Sequence, residues 1–353
     1  MSVVATMVAR HVINLETISR EKERLREENQ RLRNELGNKY SITGIIGNSN
    51  KMREVFQMIS QVSRSNATVL IRGESGTGKE LVANSIHYNS LRAKSPCVKV
   101  NCAALPSELI ESELFGHEKG AFTGAATQKK GRFAHAHTGT IFLDEIAEMS
   151  PSTQVKILRV LQEQEFEPLG SSKSVKVDIR IIAATNRVLE DEIENGNFRE
   201  DLYYRLNVVS VKIPLLRERK DDILLLADYF LKKYSDKNKK MIKGFAPRTI
   251  DLLMRHPWPG NVRELENAVE RSVILAREEV LSPEYLPDAI KALDKEVSVD
   301  SHGFSAGQSL KSVEKQMILR TLEDTNGNRT HAAEILGISR RTLQLKLKKY
   351  NIQ

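Results

Sequence analysis

The chain has 353 residues, 40% of them hydrophobic, and a formal net charge of +8 with a pI near 9.3. This length allows one large domain with smaller appendages, because single domains usually span about 100 to 200 residues. The positive charge favours a polyanionic partner but does not define a fold. Cys97 and Cys102 alone provide neither a disulfide framework nor a zinc pattern, which fits a reducing cytoplasm. A secretory signal and an apolar run of the roughly 20 residues needed to cross a bilayer are both absent, so no membrane partner is expected.

Apolar residues recur at heptad spacing near the start of the chain, from Val4 to Leu36, with Lys22 and Asn29 interrupting one seam. Such spacing favours a dimerising coiled coil, in which a polar Asn fixes the pairing register. A single charged helix packed on its own domain is the alternative. Residues 1–38 are therefore predicted to form a linker helix.

Short apolar runs alternate with helical patterns in residues 39–220. The predicted strands are Val69 to Arg72, Cys97 to Asn101, Thr140 to Leu143, Ile179 to Ala183 and Val208 to Ile213. This alternation predicts an α/β fold, with a mostly parallel sheet covered by helices on both faces. Residues 221–292 have a helical pattern throughout and are predicted to form a small lid. Residues 293–308 lack periodicity, which predicts a flexible linker, and helices resume in residues 309–353.

A glycine-rich segment joins the first predicted strand to a helix. It consists of Gly73, Glu74, Ser75, Gly76, Thr77, Gly78 and Lys79. The N–H groups and dipole of such a helix start favour phosphates, and the lysine adds positive charge, so the segment predicts an ATP-binding loop. Ser or Thr usually follows this lysine and contacts Mg²⁺, whereas here Glu80 follows it, so Thr77 or water would replace that hydroxyl. A glycine-rich connector without nucleotide is the alternative.

Two acidic residues, Asp144 and Glu145, end the third predicted strand. Open parallel sheets bind ligands at the carboxyl edge of their strands. There Asp144 can hold Mg²⁺ or its waters, and Glu145 can act as the general base for an attacking water. Asn186, which follows the next apolar run, can orient that water or sense the terminal phosphate. A solvated strand end is the alternative for the acidic pair.

Three arginines are candidates to stabilise the charge that develops during phosphoryl transfer. An arginine supplied by a neighbouring subunit can contribute roughly a thousandfold or more in rate. Arg199 and Arg205 are candidates for that role, although surface pairing with Glu200 and Asp201 is the alternative. Arg263, in the predicted lid, can reach the nucleotide from there.

These motifs and the segment Glu113 to Ala125 closely resemble the sigma-54-dependent activators, also called bacterial enhancer-binding proteins, within the AAA+ ATPases. The match runs from about Ile45 to Ala276, with a further C-terminal unit. Its most specific motif consists of Gly120, Ala121, Phe122, Thr123, Gly124 and Ala125. In that family the motif forms a mobile loop whose Phe and Thr contact sigma-54, which implies those contacts for Phe122 and Thr123. An aromatic residue flanked by glycines suits a hinged loop, whereas an ordinary buried phenylalanine is the alternative.

The resemblance also implies the roles of the residues at the predicted nucleotide site. Lys79, Asp144 and Glu145 would bind and hydrolyse Mg²⁺-ATP. Asn186 would be the first sensor, and Asn101 would couple Glu145 to the sigma-54 loop.

Further implied roles concern the lid, the adenine and the neighbouring subunit. Arg199 and Arg205 correspond to the trans-acting fingers and Arg263 to the second sensor, while Ile46 and Gly47 would lie near the adenine. Because trans-acting fingers require adjacent subunits, the resemblance implies a ring of six or seven copies, in line with a dimerising linker.

Members of this family usually begin with a receiver or ligand-binding sensor domain, for which this sequence has no room. The residues before Tyr40 resemble the helix that follows the GAF sensor in nitrogen-fixation regulators. Either the sequence is a fragment or truncated product, or the protein is regulated by another route and is constitutively active. Oxygen-sensitive members carry extra cysteines after the ATPase domain, and since none occurs here, oxygen sensing is not predicted.

The C-terminal segment has two short predicted helices around Gly337 and resembles the Fis-type helix-turn-helix of the same activators. From Arg329 onward it contains six basic residues against Glu334 alone, which favours contacts with double-stranded DNA. The predicted DNA contacts are Arg329, Thr330, Arg340, Arg341, Thr342, Gln344, Lys346 and Lys348. The predicted core is Ala332, Ala333, Ile335, Leu336, Ile338, Leu343 and Leu347. A basic helical hairpin without a DNA role is the alternative.

Two functional hypotheses follow. The first is a cytoplasmic ATP-dependent activator that binds upstream DNA and remodels the closed complex of sigma-54 RNA polymerase, with nitrogen-fixation genes as targets suggested only by the N-terminal segment. The second is a DNA-binding regulator of sigma-70 promoters whose phosphate loop controls only oligomerisation. Such regulators lack the loop motif, so Phe122 and Thr123 favour the first hypothesis.

Overall fold

The computed structural model describes residues 20–25, 28, 31, 44–122, 125, 127–292, 310–325 and 327–350. The chain divides into two compact units, Met1–Pro287 and Asp288–Gln353. Residues 20–25 are helical and exposed, but the rest of the predicted coiled coil lies largely outside the described residues, as does the predicted linker at 293–308. Among the described helices, none is both long and apolar enough to cross a membrane.

The first unit is built on a parallel sheet of five strands in the order β2-β5-β8-β1-β9. The strands in chain order are β1 (Val69–Arg72), β2 (Cys97–Asn101), β3 (Gly116–His117), β4 (Lys129–Lys130), β5 (Thr140–Asp144), β6 (Glu165–Phe166), β7 (Val175–Lys176), β8 (Arg180–Thr185), β9 (Val209–Lys212), β10 (Gly244–Phe245) and β11 (Val280–Leu281). The α/β prediction is confirmed: β1 and β2 have the predicted ends, and the ends of β5, β8 and β9 differ from the predicted ones by one or two residues.

Helices cover both faces of this sheet and form the lid. In the first unit they are α1 (Asn50–Ser63), α2 (Lys79–Tyr88), α3 (Ser107–Phe115), α4 (Arg132–His135), α5 (Pro151–Glu163), α6 (Leu189–Glu194), α7 (Glu200–Leu206), α8 (Asp221–Asn238), α9 (Pro247–Arg255) and α10 (Asn261–Leu275). Short 3₁₀ segments occur at Ile146–Glu148, Leu216–Glu218 and Pro283–Tyr285. Serine side chains start two of the helices: Ser49 accepts the N–H of Met52, and Ser150 accepts that of Thr153.

Alternate residues of the strands supply two separate hydrophobic cores, because successive strand side chains point to opposite faces. One core contains Leu70, Ile141, Leu143, Ile181 and Ala183. The other contains Val69, Ile71, Phe142, Ile182 and Ala184, together with α1 and α2. Both faces of the central strands are thus buried, which explains why those strands are continuous apolar runs in the sequence.

The lid consists mainly of α8 packed against α10, with α9 beside them. The expectation that residues 221–292 are helical throughout is wrong in one respect, because β10 and β11 form a parallel strand pair there. Each strand has two residues, which is too short to produce a periodic pattern in the sequence.

The second unit contains α11 (Leu310–Asp324), α12 (Arg329–Ile335) and α13 (Arg340–Lys349). Its core consists of Ile318, Ala332, Ala333, Leu343 and Leu347, with Leu322, Leu336 and Ile338 packed against them. The core prediction for Ile335 is wrong, since that side chain is 59% exposed. Helical residues are about 100° apart, so Ile335 lies about 200° around α12 from the buried Ala333.

Candidate nucleotide-binding site

The predicted phosphate loop lies between β1 and α2, at the carboxyl edge of the sheet, beside a cavity of about 650 Å³. Gly76 has a φ of 77°, and a Cβ added there would lie 2.3 Å from the carbonyl oxygen of Gly260 in the lid. Only glycine fits this position, because both the left-handed backbone and the approach of the lid exclude a side chain.

Lys79 is held at the base of the loop by two hydrogen bonds. Its ammonium donates to the carbonyl oxygen of Gly73 (3.0 Å) and to Oε1 of Glu145 (3.1 Å). The side chain is only 7% exposed. The two residues expected to bind phosphate and to activate water are therefore in direct contact.

Glu145 also connects to the end of the neighbouring strand β8. Its Oε2 accepts the backbone N–H of Asn186 (3.1 Å), and its own backbone is left-handed, with a φ of 53°. Its N–H donates to Oδ1 of Asp144 (3.1 Å). Burial, followed by the charge of Glu145, raises the pKa of Asp144. The sequence prediction that these carboxylates lie at one sheet edge with Asn186 agrees with this geometry.

Asn101 lies opposite Asp144 in the pairing of β2 with β5 and lines the same cavity. Its amide oxygen accepts the N–H of Ala103 (2.9 Å). Among the described residues no hydrogen bond joins Asn101 to Glu145, whose oxygens contact Lys79 and Asn186 instead.

Thr77 is expected, with water as the alternative, to replace the usual magnesium-binding hydroxyl, and Glu80 stands at that hydroxyl's position in the sequence. Thr77 is 4% exposed, and its hydroxyl donates to the carbonyl oxygen of Glu74 (2.8 Å). Glu80 accepts a hydrogen bond from Lys99 on β2 (2.8 Å). Neither of these hydrogen bonds involves the partly exposed carboxylate of Asp144.

The donor set fits Mg²⁺ held largely by a nucleotide. Such an ion usually takes one or two carboxylates and fills its remaining positions with phosphate oxygens and water. Asp144 can supply the carboxylate, and in the part of the chain that the structure describes no group of three or more His, Cys, Asp or Glu forms a self-contained metal site. The glycine cradle and Lys79 fit the phosphates.

The lid contacts the loop through the start of α10. The N–H groups of Val262 and Arg263 donate to the carbonyl oxygen of Gly76 (3.0 and 3.3 Å), and the Arg263 guanidinium lies 3.4 Å from Oγ of Ser75. Arg263 therefore lies beside the loop, as the sequence predicts. It also lines the cavity.

Asn261 is a site residue that the sequence analysis missed. It is fully buried with a φ of 51°, and its amide donates to the carbonyl oxygen of Ser75 (3.1 Å) while accepting the N–H of Leu216 (2.9 Å). A signal was available, because an Asn that follows a Pro-Gly pair is a candidate for left-handed backbone.

The expected adenine end is only partly as predicted. Ile46 lines the cavity with Gly44 and Ile45. A Cβ at Gly47 would instead lie 3.1 Å from Cγ of Met52 in α1 and 3.3 Å from Oδ2 of Asp222 in α8, so Gly47 packs between α1 and the lid. The sequence analysis missed the lid side chains that line the cavity, namely Tyr229, Phe230, Lys233 and Glu266.

The two finger candidates lie at the two ends of α7, Arg199 just before its first residue and Arg205 in its last turn, and both are exposed to solvent. Arg199 is exposed and pairs with Asp201 (2.6 Å), which is the surface pairing that the sequence left open. Arg205, in the last turn of α7, is exposed as well. Neither side chain lines the cavity of its own subunit within the described residues.

The predicted sigma-54 loop joins the antiparallel strands β3 and β4. Thr123 and Gly124 lie outside the described residues, but Gly120, Ala121, Phe122 and Ala125 are described. Gly120 has a φ of 85° and donates its N–H to the carbonyl oxygen of Ala125 (2.9 Å). Phe122 is 40% exposed, with its ring centroid 5.0 Å from that of His117, so it is not an ordinary buried phenylalanine.

In the second unit, most predicted DNA contacts are accessible. Those that are exposed are Arg329, Thr330, Arg340, Arg341, Gln344 and Lys348. Thr342 is half-buried and hydrogen-bonds Ser339, the cap of α13 (2.7 Å between the hydroxyl oxygens). Lys346 is half-buried and pairs with Glu314 of α11, so the expectation that it faces a DNA groove is not supported.

The strand order, the phosphate loop, the acidic strand end and the helical lid define an AAA+ P-loop ATPase fold. Residues 45–212 match the model of the Sigma-54 interaction domain, residues 217–302 that of the AAA+ ATPase lid domain, and residues 309–350 that of the Bacterial regulatory protein, Fis family. The chain belongs to the sigma-54-dependent activators and contains their AAA+ ATPase domain and a Fis-type helix-turn-helix.

Similar proteins cover this chain to different extents. Nitrogen fixation protein AnfA of Azotobacter vinelandii is 49% identical over 353 residues, which is 100% of this chain and 66% of that protein. Transcriptional regulatory protein ZraR of Salmonella typhimurium is 52% identical over 304 residues, covering 86% of this chain and 68% of that protein. The crystal structure of NtrX from Brucella abortus in complex with ADP has a TM-score of 0.68 and 37% identity, covering 97% of this chain and 76% of that one. The chain thus spans about two thirds of the length of the curated relatives it matches.

Proposed function

We propose that this protein is an ATP-dependent transcriptional activator. It binds DNA upstream of a promoter, assembles into a ring in the cytoplasm and uses ATP hydrolysis to remodel the closed complex of sigma-54 RNA polymerase. The observation that carries the proposal is the contact between Lys79 and Glu145 at the base of the phosphate loop, in a chain whose Phe122 is exposed on a separate loop.

The hydrolytic step follows from the contacts of Glu145. Phosphates at the loop attract the Lys79 ammonium away from Oε1, while the Asn186 N–H continues to hold Oε2. The freed carboxylate accepts a proton from water as the water oxygen bonds to the terminal phosphorus and the bond to the ADP oxygen breaks. Mg²⁺, held by Asp144 or its waters, would neutralise phosphate charge.

The charge that develops in this step needs a further cation, which we assign to a neighbouring copy. Arg199, which precedes α7, and Arg205, in its last turn, are both exposed, and Arg263 already lies beside Ser75 within the same copy. Two exposed arginines can serve a nucleotide only across a subunit boundary, which supports a closed ring of six or seven copies.

We further propose that nitrogen-fixation genes are the targets. The alignments with AnfA and with Nitrogen fixation protein VnfA of Azotobacter vinelandii both cover 100% of this chain, including residues 1–38, whereas the ZraR alignment covers 86%. The N-terminal segment thus supports this assignment.

Transcription in vitro tests the proposal. We expect open complexes from a sigma-54 promoter with ATP, none with a non-hydrolysable analogue, and no activation of a sigma-70 promoter. Activation of the sigma-70 promoter without hydrolysis would instead support a DNA-binding regulator whose phosphate loop controls only assembly. Thr123→Ala is the matched variant, since it should retain ATPase activity and lose transcription.

A further inference from the structure

A hydrogen-bonded network outside the nucleotide cavity links the root of the phosphate loop to α7. Arg72, the residue before Gly73, donates from Nη1 to both carboxylate oxygens of Glu190 (2.8 and 3.1 Å) and from Nη2 to the hydroxyl of Tyr203 (3.1 Å). The same hydroxyl donates to Oε1 of Glu190 (2.7 Å) and accepts from the amide of Asn207 (2.9 Å). Three elements, β1, α6 and α7, therefore meet at one oxygen atom.

The hydroxyl of Tyr203 makes all the hydrogen bonds that a phenol can form. A phenol has one O–H donor and two lone pairs, and here all three are used. The guanidinium carbon of Arg72 also lies 5.6 Å from the centroid of the tyrosine ring, within the range of a cation–π interaction. Two of these bonds reach α7 from other elements, one from Arg72 on β1 and one from Glu190 on α6, so they limit the rotation of α7 as well as its distance from β1.

That rotation determines where the finger candidates are presented. Leu202 and Leu206 anchor α7 in the core, while Arg205 is exposed. Tyr203 and Arg205 are two residues apart and hence about 200° apart around the helix. A rotation that breaks the Tyr203 contacts would therefore swing Arg205 by a similar angle.

We propose that Tyr203, held by Arg72 and Glu190, is a positioning residue that sets α7 so that Arg199 and Arg205 reach the nucleotide of the adjacent copy. This inference rests on the proposed ring with trans-acting arginines. The group that these arginines would contact is the terminal phosphate of an ATP molecule bound by a second copy of this chain.

Mixed rings separate this role from a simple effect on the same subunit. Lys79→Ala copies lack a working phosphate loop but retain the arginines, and Arg205→Ala copies have the converse defect. Each should be inactive alone, whereas their mixture should recover ATPase activity where an intact arginine meets an intact loop. Tyr203→Phe is then introduced into one kind of copy at a time.

In the Lys79→Ala copies, which supply arginines, we expect Tyr203→Phe to lower the ATPase activity of the mixture by about tenfold to a hundredfold, as small misplacements of catalytic groups do. Arg72→Lys in the same copies should also lower it, since lysine lacks the fork that bonds both partners. In the Arg205→Ala copies, which bind nucleotide, Tyr203→Phe should leave the activity within a factor of about two.

Tyr204→Phe is the matched control, because that tyrosine is on the same helix but is 67% exposed. Loss of its hydroxyl should change the ATPase activity of the mixture little. Equal loss from Tyr203→Phe in both kinds of copy, no loss in either, or a similar loss from Tyr204→Phe would overturn the inference. If the parent mixture recovers no activity, the trans arrangement in the proposed function fails, and this inference fails with it.

Discussion

The ammonium of Lys79 lies 3.1 Å from Oε1 of Glu145, so the expected phosphate-binding cation and the proposed base form an ion pair. A buried charge left without a partner is costly, which explains why the two side chains pair. In the proposed mechanism, phosphates compete for the lysine and release the carboxylate, so that substrate binding would itself activate the base.

Substitutions of Lys79 and Glu145 should affect different steps, nucleotide binding for the first and hydrolysis alone for the second. Lys79→Ala removes the cation and should abolish nucleotide binding, measured by titration with a fluorescent ATP analogue. Glu145→Gln should still bind ATP but lower the rate of phosphate release by about a hundredfold to ten-thousandfold, because the amide cannot accept a proton from water. Glu148→Gln is the control, because Glu148 forms an ion pair with Arg187 (2.5 Å) instead of contacting Lys79. This variant should hydrolyse ATP at the normal rate. Near-normal hydrolysis by Glu145→Gln would exclude it as the base.

The bond from Asn261 to Ser75 should couple the lid to the phosphate loop. Asn261→Asp keeps the size of the side chain but cannot donate to the Ser75 carbonyl oxygen. In the wild type the Asn261 amide lies 3.3 Å from Oε2 of Glu74, so the variant also places a second carboxylate near that of Glu74. We expect the free energy of unfolding to fall by about 1 to 3 kcal/mol and the affinity for ATP to fall with it. Thermal unfolding and nucleotide titration measure these effects. Asn238→Asp, at the exposed end of α8, should have a much smaller effect, and a similar effect at both positions would contradict the coupling.

The stability of the protein should depend on pH through His87. This ring is buried, with Nδ1 2.9 Å from the hydroxyl of Thr140, and burial together with the charge of Arg180 lowers its pKa from 6.5 to about 4. Between these values the unfolded chain binds the proton and the folded chain does not. The contribution of neutral His87 to the free energy of unfolding is therefore complete above pH 6.5 and is lost as the pH falls through about 4. The total loss is about 3 kcal/mol.

His87→Gln should remove this part of the acid sensitivity. Urea unfolding at several values between pH 7.5 and 4.5 gives the free energy of unfolding of both proteins. We expect the difference between wild type and variant to shrink or reverse as the pH falls. A difference that is constant over this range would mean that His87 does not titrate as proposed.

The C-terminal unit should bind DNA through the exposed arginines of α13. Arg340→Ala and Arg341→Ala should each weaken binding and lower the slope of log affinity against log salt by about 0.9, as expected for one lost phosphate contact. Lys346→Ala should instead leave the slope nearly unchanged and destabilise the unit, because Lys346 pairs with Glu314. Fluorescence anisotropy with a DNA duplex at several salt concentrations distinguishes these effects. An equal loss of slope in Lys346→Ala would contradict the assignment.

The features that the sequence predicted well are those encoded locally. The buried strands are continuous apolar runs, and the phosphate loop is one uninterrupted segment, so their positions needed no knowledge of tertiary contacts. The edge of a parallel sheet then brings Asp144 and Glu145 to the loop by topology alone.

The features that were missed depend on pairs far apart in the chain. Asn261 contacts Ser75 across 186 positions, and Arg72 contacts Glu190 across 118. The ion pair of Lys346 with Glu314 likewise joins two residues that are far apart in the chain. Periodicity reports which face of an element is apolar, but it does not say which polar side chains meet when elements pack.

The central claim is that hydrolysis beside Glu145 changes the loop that carries Phe122. The most direct measurement is the affinity of the protein for sigma-54 with a ground-state ATP analogue, with a transition-state analogue and with ADP. We predict an affinity that differs among the three states and is highest with the transition-state analogue. Equal affinity in all three states, with ATP binding intact, would contradict the account.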